Sequence, residues 1–286
     1  MCIISIGDLM FNFKFCNNNV YITGDEDFSL PQTLDCGQAF RWEETENGIW
    51  QGVAFGKHLK LERVADGTVV LYNTTEEDFK NLWLDYFDLN RNYNEIISAI
   101  SGNKVLNEAA KFGSGIRVLN QEPWETLCSF IISQNNNIKR IKGIIARLCE
   151  NFGENKGDYY TFPTAEKIAS LTLEDLAVLR SGFRAKYILD AAKKVASGEI
   201  DLQNLKDLSV DDARLELMKI KGVGPKVADC ALLFSHRHID AFPKDVWIKR
   251  AMQVLFDGEL PKEAQKYAGI VQQYIFFYAR ETKLEI

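Results

Sequence analysis

A chain of 286 residues, 46% apolar and 26% charged, has the make-up of an ordinary globular protein, with material for one large or two to three small domains. Its net charge of −6 argues against a general nucleic-acid coat protein. It leaves room for a DNA enzyme, because phosphate contacts need only a local basic face. In chain order, the opening Met1-Cys2-Ile3-Ile4-Ser5-Ile6 is apolar but short, lacks a basic leader and runs into Asp8. Neither a signal peptide nor a membrane span is expected there, and Met10 is a candidate alternative start.

From about residue 12 to 104 the sequence reads as strand-rich. Asn19-Val20-Tyr21-Ile22, Ile49-Trp50-Gln51-Gly52-Val53-Ala54 and Thr68-Val69-Val70-Leu71-Tyr72 are β-branched or aromatic runs broken by Gly, Asn and Asp. Asn47-Gly48 and Asp66-Gly67 predict hairpin turns. Thr75-Glu76-Glu77 opens a helical stretch through Trp83, with Leu82 and Leu84 beside it. An antiparallel sheet with one or two covering helices is expected, as a domain over residues 1–104.

From about residue 105 the apolar period becomes 3.6. Trp124, Leu127 and Ile131 share one helical face, as do Ile138, Ile141, Ile144, Ile145 and Leu148 on the next helix. Gly153 fits a helix stop. Thr172-x-x-Asp175 has the form of a capping box before Leu176 and Leu179, ending at Gly182. Further helices flank Gly222-Val223-Gly224 and follow Asp245. The last contains Ile270, Val271, Tyr274, Ile275 and Phe277. An all-helical region over 105–286 follows the sheet domain, giving an α+β chain. Without a Pro- or Ser-rich linker, the two are expected to pack tightly around a cleft, a favoured place for a ligand.

Six cysteines (Cys2, Cys16, Cys36, Cys128, Cys149, Cys230) show no C-x-x-C and no pairing rhythm, which suits reduced thiols in a cytosol. His58, His236 and His238 lack carboxylate or cysteine partners at ligand spacing. No metal site is expected, and His236 and His238 are read as a surface turn. Lys219, Lys221, Lys226, Lys244, Lys249 and Arg250 gather around the hairpin, and Lys139, Arg140, Lys142 and Arg147 follow Asn135-Asn136-Asn137. Solvated helix faces would explain them as well as phosphate contacts would.

The most informative stretch is Met218-Lys219-Ile220-Lys221-Gly222-Val223-Gly224-Pro225-Lys226-Val227-Ala228-Asp229-Cys230. One helix ends, a two-glycine hairpin follows, and a second helix starts. Gly222 and Gly224 can take φ > 0 and bring backbone N–H groups close to a ligand. Pro225 suits the first helical position, where its missing N–H costs nothing. A helix N-terminus with outward amides attracts a phosphate. Lys226 lies in the first turn, where burial and the helix dipole both disfavour an ammonium. A lysine with a distant carboxylate beside a phosphate-binding hairpin suggests covalent chemistry on a nucleic acid. Asp245 is a good N-cap before Val246-Trp247-Ile248. A carboxylate can also stabilise a positive charge that develops beside it in a reaction. Gly182-Phe183-Arg184-Ala185-Lys186 is a short echo of the hairpin that makes Lys186 a rival nucleophile, but it lacks the second glycine, the proline and the later Asp.

The hairpin with its lysine and distant aspartate resembles the helix-hairpin-helix, Gly-Pro-Asp motif of base-excision DNA glycosylases. Gly37-Gln38-Ala39-Phe40-Arg41-Trp42 and Ser133-Gln134-Asn135-Asn136-Asn137-Ile138 narrow the likeness to the 8-oxoguanine DNA glycosylases, in that family's order, from about Asn12 onward. The resemblance implies a bifunctional glycosylase/AP lyase that excises 8-oxoguanine opposite cytosine from double-stranded DNA. Its catalytic lysine and aspartate fall on Lys226 and Asp245. The backbone carbonyl of Gly37 would accept the N7–H that guanine lacks and its 8-oxo form carries. Gln272 would read the Watson–Crick edge, and Phe276 and Cys230 would sandwich the flipped base. Asn135, Arg140 and Arg184 would meet the opposite cytosine, with Phe183 as an aromatic wedge and Gly222 and Gly224 at the backbone.

Departures from the family's pattern are Phe183 in place of tyrosine, Trp247 in place of a histidine, and Ala279 in place of an acidic residue. They bear on phosphate contacts and on the stringency of opposite-base checking. No cysteine follows Cys230, so no iron–sulfur cluster is expected and no cofactor is needed, with a monovalent cation at the carbonyls of Ile220 and Val223 left open. A monomer, in the cytoplasm and with the nucleoid in a bacterium, is the expectation. Two alternatives stand beside it. An alkylated-base glycosylase of the superfamily would use the aspartate with water and leave Lys226 without a role. A non-catalytic helix-hairpin-helix DNA-binding module would leave Lys226, Asp245 and the Gly37 motif unexplained.

Overall fold

The computed structural model describes residues 2–4, 10–24 and 27–282. Of the opening segment, Met1, Ser5, Ile6 and Asp8 lie outside the described residues. Among the described residues seven strands, β1 (Cys2–Ile4), β2 (Phe11–Cys16), β3 (Asn19–Gly24), β4 (Trp42–Glu44), β5 (Trp50–Ala54), β6 (Lys57–Arg63) and β7 (Val69–Tyr72), form one sheet in the order β1-β2-β3-β7-β6-β5-β4. The pairings β1–β2, β2–β3, β3–β7, β6–β7 and β4–β5 are antiparallel. Gly48 and Gly67 take φ of 75° and 89° in the two expected turns. Strand β6 escapes a composition-based reading because Lys57, Lys60, Glu62 and Arg63 dominate it; Leu59 and Leu61, two apart and buried, suffice to fix its inner face.

Helix α1 (Leu30–Leu34) lies between β3 and β4. Helical structure resumes at α2 (Glu76–Asp78), continues through a π turn at Phe79–Trp83 and ends in α3 (Leu84–Tyr86). Asparagine caps then start α4 (Tyr93–Ile100) and α5 (Lys104–Phe112): Asn92 accepts from Glu95 N–H, and Asn103 from Val105 and Leu106 N–H. The change from sheet to helix therefore falls in the seventies. The remaining α-helices are α6 (Pro123–Ser133), α7 (Ile138–Phe152), α8 (Ala165–Ala169), α9 (Arg184–Ala196), α10 (Val210–Met218), α11 (Pro225–Ser235), α12 (Val246–Phe256) and α13 (Ala268–Glu281). Short 3₁₀ turns join them, including Asp175–Leu179, whose reciprocal Thr172–Asp175 capping box is formed as the sequence predicts. Gly153 does stop α7, but in ordinary φ space: a Cβ there would lie 2.0 Å from the Thr161 carbonyl.

The chain condenses into two units that depart from the expected division at residues 104 and 105. One spans residues 1–52, 59–120 and 244–286; the other spans 53–58 and 121–243. Helix α5 and the C-terminal helices α12 and α13 thus belong with most of the sheet. In that first unit, Trp42, Trp83, Tyr86 and Phe87 cluster ring against ring, and the Trp42 indole donates to the Tyr86 hydroxyl at 2.7 Å. Arg117, fully buried, lies 4.2 Å from the Tyr93 ring centroid and 4.8 Å from that of Phe11.

In the second unit Leu127 and Ile131 of α6 and Ile141, Ile144, Ile145 and Leu148 of α7 are buried, the faces that the 3.6 period marks. His236 and His238 do not form a surface turn. They are 4% and 9% exposed, and their Nε2 atoms lie 2.9 Å from the carbonyls of Leu202 and Leu205. The carbonyls of Leu202 and Leu205, just before and within the 3₁₀ turn Asn204–Asp207, need partners, and the two rings supply them.

Candidate active site

The hairpin between α10 and α11 is braced by three contacts. Arg214 Nε on α10 donates to the Asp229 carboxylate of α11 at 2.5 Å, tying the two helices. The Asp190 carboxylate of α9 accepts the Lys221 N–H at 2.7 Å. The Tyr187 ring lies against Gly222, where a Cβ would come within 2.4 Å of it. Gly222 has φ of 83°, so both backbone and space require glycine.

Gly224 is different. Its φ is −105°, not positive as the sequence suggests, and a Cβ there would meet nothing within 4 Å. Nothing in the chain demands glycine at 224; the missing side chain leaves the surface open to an incoming group. Gly224 is the N-cap of α11 with no side-chain hydrogen bond, and Pro225 follows in the first turn. The amides of this turn therefore face outward at the positive end of the helix.

Lys226 is half-buried, with Nζ 5.2 Å from the Phe130 ring centroid, and Phe130 stacks on Phe234 at 5.3 Å. The aromatic pair gives the lysine head a fixed floor. Cys230 sits one turn further on the same helix face, 3% exposed.

In the same unit the expected opposite-base residues come together at the end of α6 and the start of α9. Asn135 is exposed, with φ of 45°, and Arg140 is exposed one turn into α7. Phe183 is 44% exposed, and its ring lies 4.5 Å from the Arg184 guanidinium. Arg184 itself is 3% exposed. Its Nε donates to the Gln134 carbonyl at 2.8 Å, Nη1 to Ser181 at 3.1 Å, and Nη2 to Asn135 at 2.8 Å and to Gln134. Burial and the nearby Arg140 lower its pKa from the usual arginine value. Arg184 holds the loop that presents Asn135.

The first unit carries the other expected residues. Asp245 caps α12, its Oδ1 accepting the Ile248 N–H at 2.7 Å, and Trp247 is 47% exposed in the first turn. Gly37 has φ of 84°, and a Cβ there would lie 3.9 Å from the Phe276 ring of α13. Behind it, the Gln38 amide donates to the carbonyls of Thr33 and Arg117 at 2.8 and 2.7 Å and accepts the Leu119 N–H at 2.9 Å. Gln272 is 5% exposed, and its Oε1 accepts from Gln273 Nε2 at 2.6 Å.

Two family models match this chain: the 8-oxoguanine DNA glycosylase N-terminal domain over residues 20–127, and the HhH-GPD superfamily of base excision DNA repair proteins over residues 128–271. The chain belongs to the 8-oxoguanine DNA glycosylases. The N-glycosylase/DNA lyase of Saccharomyces cerevisiae is 34% identical over 77% of this chain, which spans 66% of the yeast protein, just under two thirds. A probable N-glycosylase/DNA lyase of Methanothermobacter thermautotrophicus is 30% identical over 90% of this chain and 95% of that protein. The Clostridium acetobutylicum 8-oxoguanine glycosylase/lyase, crystallised with double-stranded DNA containing cytosine opposite 8-oxoguanine, superposes with a TM-score of 0.87. It is 41% identical, and the match covers 97% of this chain and 100% of that one. The two matched regions meet inside α6, so in this 8-oxoguanine DNA glycosylase family member neither sequence division is a physical joint.

Several residues of this family member carry duties that its sequence does not announce. Asp190, Asp229, Gln38 and Gln273 brace the hairpin and the Gly37 turn. Gln38 alone had a usable signal, a polar side chain beside Ala39 and Phe40. Arg147 and Lys219, read with the basic face, have partners in the chain: Arg147 Nε and Nη2 bond the Leu179 carbonyl at 3.0 and 2.9 Å, and Lys219 pairs with Glu216 at 2.6 Å. Lys139, Arg140, Lys221, Lys244, Lys249 and Arg250 are exposed. Among the described residues, no group of three or more His, Cys, Asp or Glu side chains is placed to hold a metal ion, and no helix is long and apolar enough to cross a membrane.

Proposed function

We propose that this chain is a bifunctional DNA glycosylase and AP lyase that removes 8-oxoguanine from double-stranded DNA, with Lys226 as nucleophile and Asp245 as the carboxylate that stabilises the developing charge. The observation that carries the reading is the uncapped, open N-terminus of α11 with a lysine in its first turn. The α11 amides take a phosphate of the lesion strand, and the empty space at Gly224 lets the sugar–phosphate backbone approach. The Lys226 amine forms a bond to C1′ as the C1′–N9 bond breaks, and the electron pair leaves with the base, which is protonated. The N,O-acetal so formed at C1′ opens to an imine by expelling the ring oxygen, which takes up a proton. Loss of a C2′ proton then eliminates the 3′ phosphate. Amine and carboxylate both come from the chain, so no step is routed through a cofactor or cation.

Gly37 O accepts the N7–H of the lesion, Gln272 meets its Watson–Crick edge, and Phe276 and Cys230 flank it. A guanine in the same place would set an acceptor against an acceptor. Asn135 and Arg140 meet the orphan base, and Arg184 keeps Asn135 in place. Phe183 stacks without a hydroxyl, so cytosine is preferred, less stringently than with tyrosine there. The working form is a monomer in a reducing, cytoplasmic setting, which the buried, reduced thiols of Cys36, Cys128, Cys149 and Cys230 suit.

The test is single-turnover release of 8-oxoguanine placed opposite C, T, G and A, with an undamaged duplex alongside. The reading predicts release with strand cleavage, fastest opposite C. Release of 3-methyladenine without strand cleavage, and no action on 8-oxoguanine, would point to the alkylated-base alternative instead.

A further inference from the structure

The residue beside each of two expected base-contacting residues is buried and hydrogen-bonded to the other's neighbourhood. Gln273, 4% exposed, donates Nε2–H to Gln272 Oε1 at 2.6 Å. Cys36, 1% exposed and adjacent to Gly37, places Sγ 3.4 Å from Gln273 Oε1 and 3.4 Å from the Thr33 carbonyl. Two successive loop residues thus face two residues of α13: Cys36 meets Gln273, and Gly37 meets Phe276. All of these belong to the same unit.

We propose that Cys36 and Gln273 are positioning residues that fix which way round the Gln272 amide stands, and so which hydrogen-bonding edge it offers to the extruded base. A glutamine amide has two orientations about its last torsion that differ only in where oxygen and NH₂ point. Cys36 breaks this symmetry at the far end. Burial pushes its pKa up to about 12, so it is a thiol with a proton to give. Its one S–H has two acceptors at 3.4 Å, the Gln273 oxygen and the Thr33 carbonyl, and the latter already accepts from the Gln38 amide at 2.8 Å; given to the Gln273 oxygen, the proton turns the Gln273 NH₂ toward Gln272. That in turn holds the Gln272 oxygen toward Gln273 and sets the direction of its own NH₂. The relay lies in a buried setting, where successive hydrogen bonds polarise one another and an unpaired group is costly.

The choice matters because purines present opposite edges. Guanine offers an acceptor at O6 and a donor at N1, whereas adenine offers a donor at N6 and an acceptor at N1. An amide locked one way suits the first pattern and sets donor on donor, and acceptor on acceptor, against the second. 8-Oxoguanine and 8-oxoadenine share the N7–H and the 8-oxygen, so the Gly37 carbonyl treats them alike. The relay therefore governs the ratio between these two substrates. The inference rests on the reading of Gln272 as the group that faces the Watson–Crick edge.

The experiment compares single-turnover excision of 8-oxoguanine and 8-oxoadenine by the parent, Gln273→Leu, Cys36→Ala, Cys36→Ser and Gln272→Ala. Affinity for a duplex with a tetrahydrofuran abasic analogue, which has no base to read, serves as the control for folding and DNA grip. Gln273→Leu should lower the 8-oxoguanine to 8-oxoadenine ratio by about 5–10-fold, the worth of one internal hydrogen bond, with abasic-duplex affinity within twofold of the parent. Cys36→Ala should lower the ratio by a smaller factor, and Cys36→Ser, which can still donate, should restore it. If Gln273→Leu loses the abasic duplex, the Cys36 pair, which leaves both glutamines in place, decides the matter. A ratio that collapses in Gln272→Ala but is unchanged in Gln273→Leu and Cys36→Ala overturns the relay. A ratio unchanged in Gln272→Ala overturns the reading of Gln272 itself.

Discussion

Two turns in the second unit share the pattern glycine, three residues, lysine, and they are held in opposite ways. At Gly182–Lys186 the backbone consumes its own amides: Arg184 N–H donates to Ser181 and Ala185 N–H to Gly182. The Arg184 guanidinium is committed to three loop carbonyls, and Lys186 is exposed, with Nζ 5.3 Å from the Tyr187 ring centroid. At Gly222–Lys226 the bracing comes from outside the turn, from Asp190, Tyr187 and the Arg214–Asp229 pair. The first turn of α11 is thereby left without an internal cap, and its lysine is half-buried over Phe130. A helix start keeps its donors available to a ligand when other elements hold it in shape, so that its own donors need not.

The sharpest way to break this comparison is to exchange the roles of the two lysines. Lys226→Gln should abolish excision of 8-oxoguanine while binding to lesion DNA survives, and Lys186→Gln should leave the single-turnover rate within about twofold. Asp245 is the group that the motif has and the echo lacks. Asp245→Asn should slow base release by at least the roughly 10²-fold typical of losing an electrostatic catalytic group. A weaker α12 cap would add a small loss of stability, read by thermal melting. A near-normal rate in this variant would leave Asp245 with its capping role alone.

The two glycines of the hairpin should separate stability from binding. Gly222→Ala forces a Cβ at φ of 83° into the Tyr187 ring, and a cost of about 1–3 kcal/mol in chemical denaturation is expected. Gly224→Ala has open space and an ordinary φ, so it should cost no more than the roughly 1 kcal/mol of alanine at an N-cap. Its effect should appear instead as weaker binding of an abasic-analogue duplex, since only an incoming backbone meets the new methyl. Equal stability losses in the two variants, with unchanged binding, would place the need for Gly224 inside the chain.

The smallest effect lies away from both turns, at His236. Burial pushes its pKa below the ordinary 6.5, outweighing its two carbonyl partners. The unfolded chain then binds the proton more readily, so this group's contribution to stability is intact above about pH 6.5 and is lost as pH falls below that. The slope should not exceed about 1.4 kcal/mol per pH unit, the limit for one proton. It should flatten in His236→Asn, measured as denaturation midpoint against pH.

Much of this was legible in the sequence where signals are local. The apolar period of α6 and α7, Asp245 as a cap before Val246, and the turn at Asp66-Gly67 each depend on residues within a few positions. What failed depends on partners far along the chain. Gly224 reads like Gly222 in sequence, and the Tyr187 ring together with the positive φ at Gly222 tells them apart. Arg147 reads as part of a basic face, and nothing local shows that the Leu179 carbonyl holds it or that the Gln134 carbonyl holds Arg184. His236 reads as surface until Leu202, 34 residues earlier, is brought beneath it. The strand β6 was hidden by its own outward face. Charge on an exposed face carries little information about the buried one.

The central claim is that the amine of the braced turn forms a covalent bond with the damaged nucleotide. Borohydride reduces the imine between a lysine and the opened sugar to a stable amine. Incubation of the parent, Lys226→Gln and Lys186→Gln with an 8-oxoguanine:cytosine duplex and borohydride should give a trapped protein–DNA adduct with the parent and with Lys186→Gln, and none with Lys226→Gln. Substantial trapping by Lys226→Gln, lost in Lys186→Gln, would contradict the account and move the chemistry to the other turn.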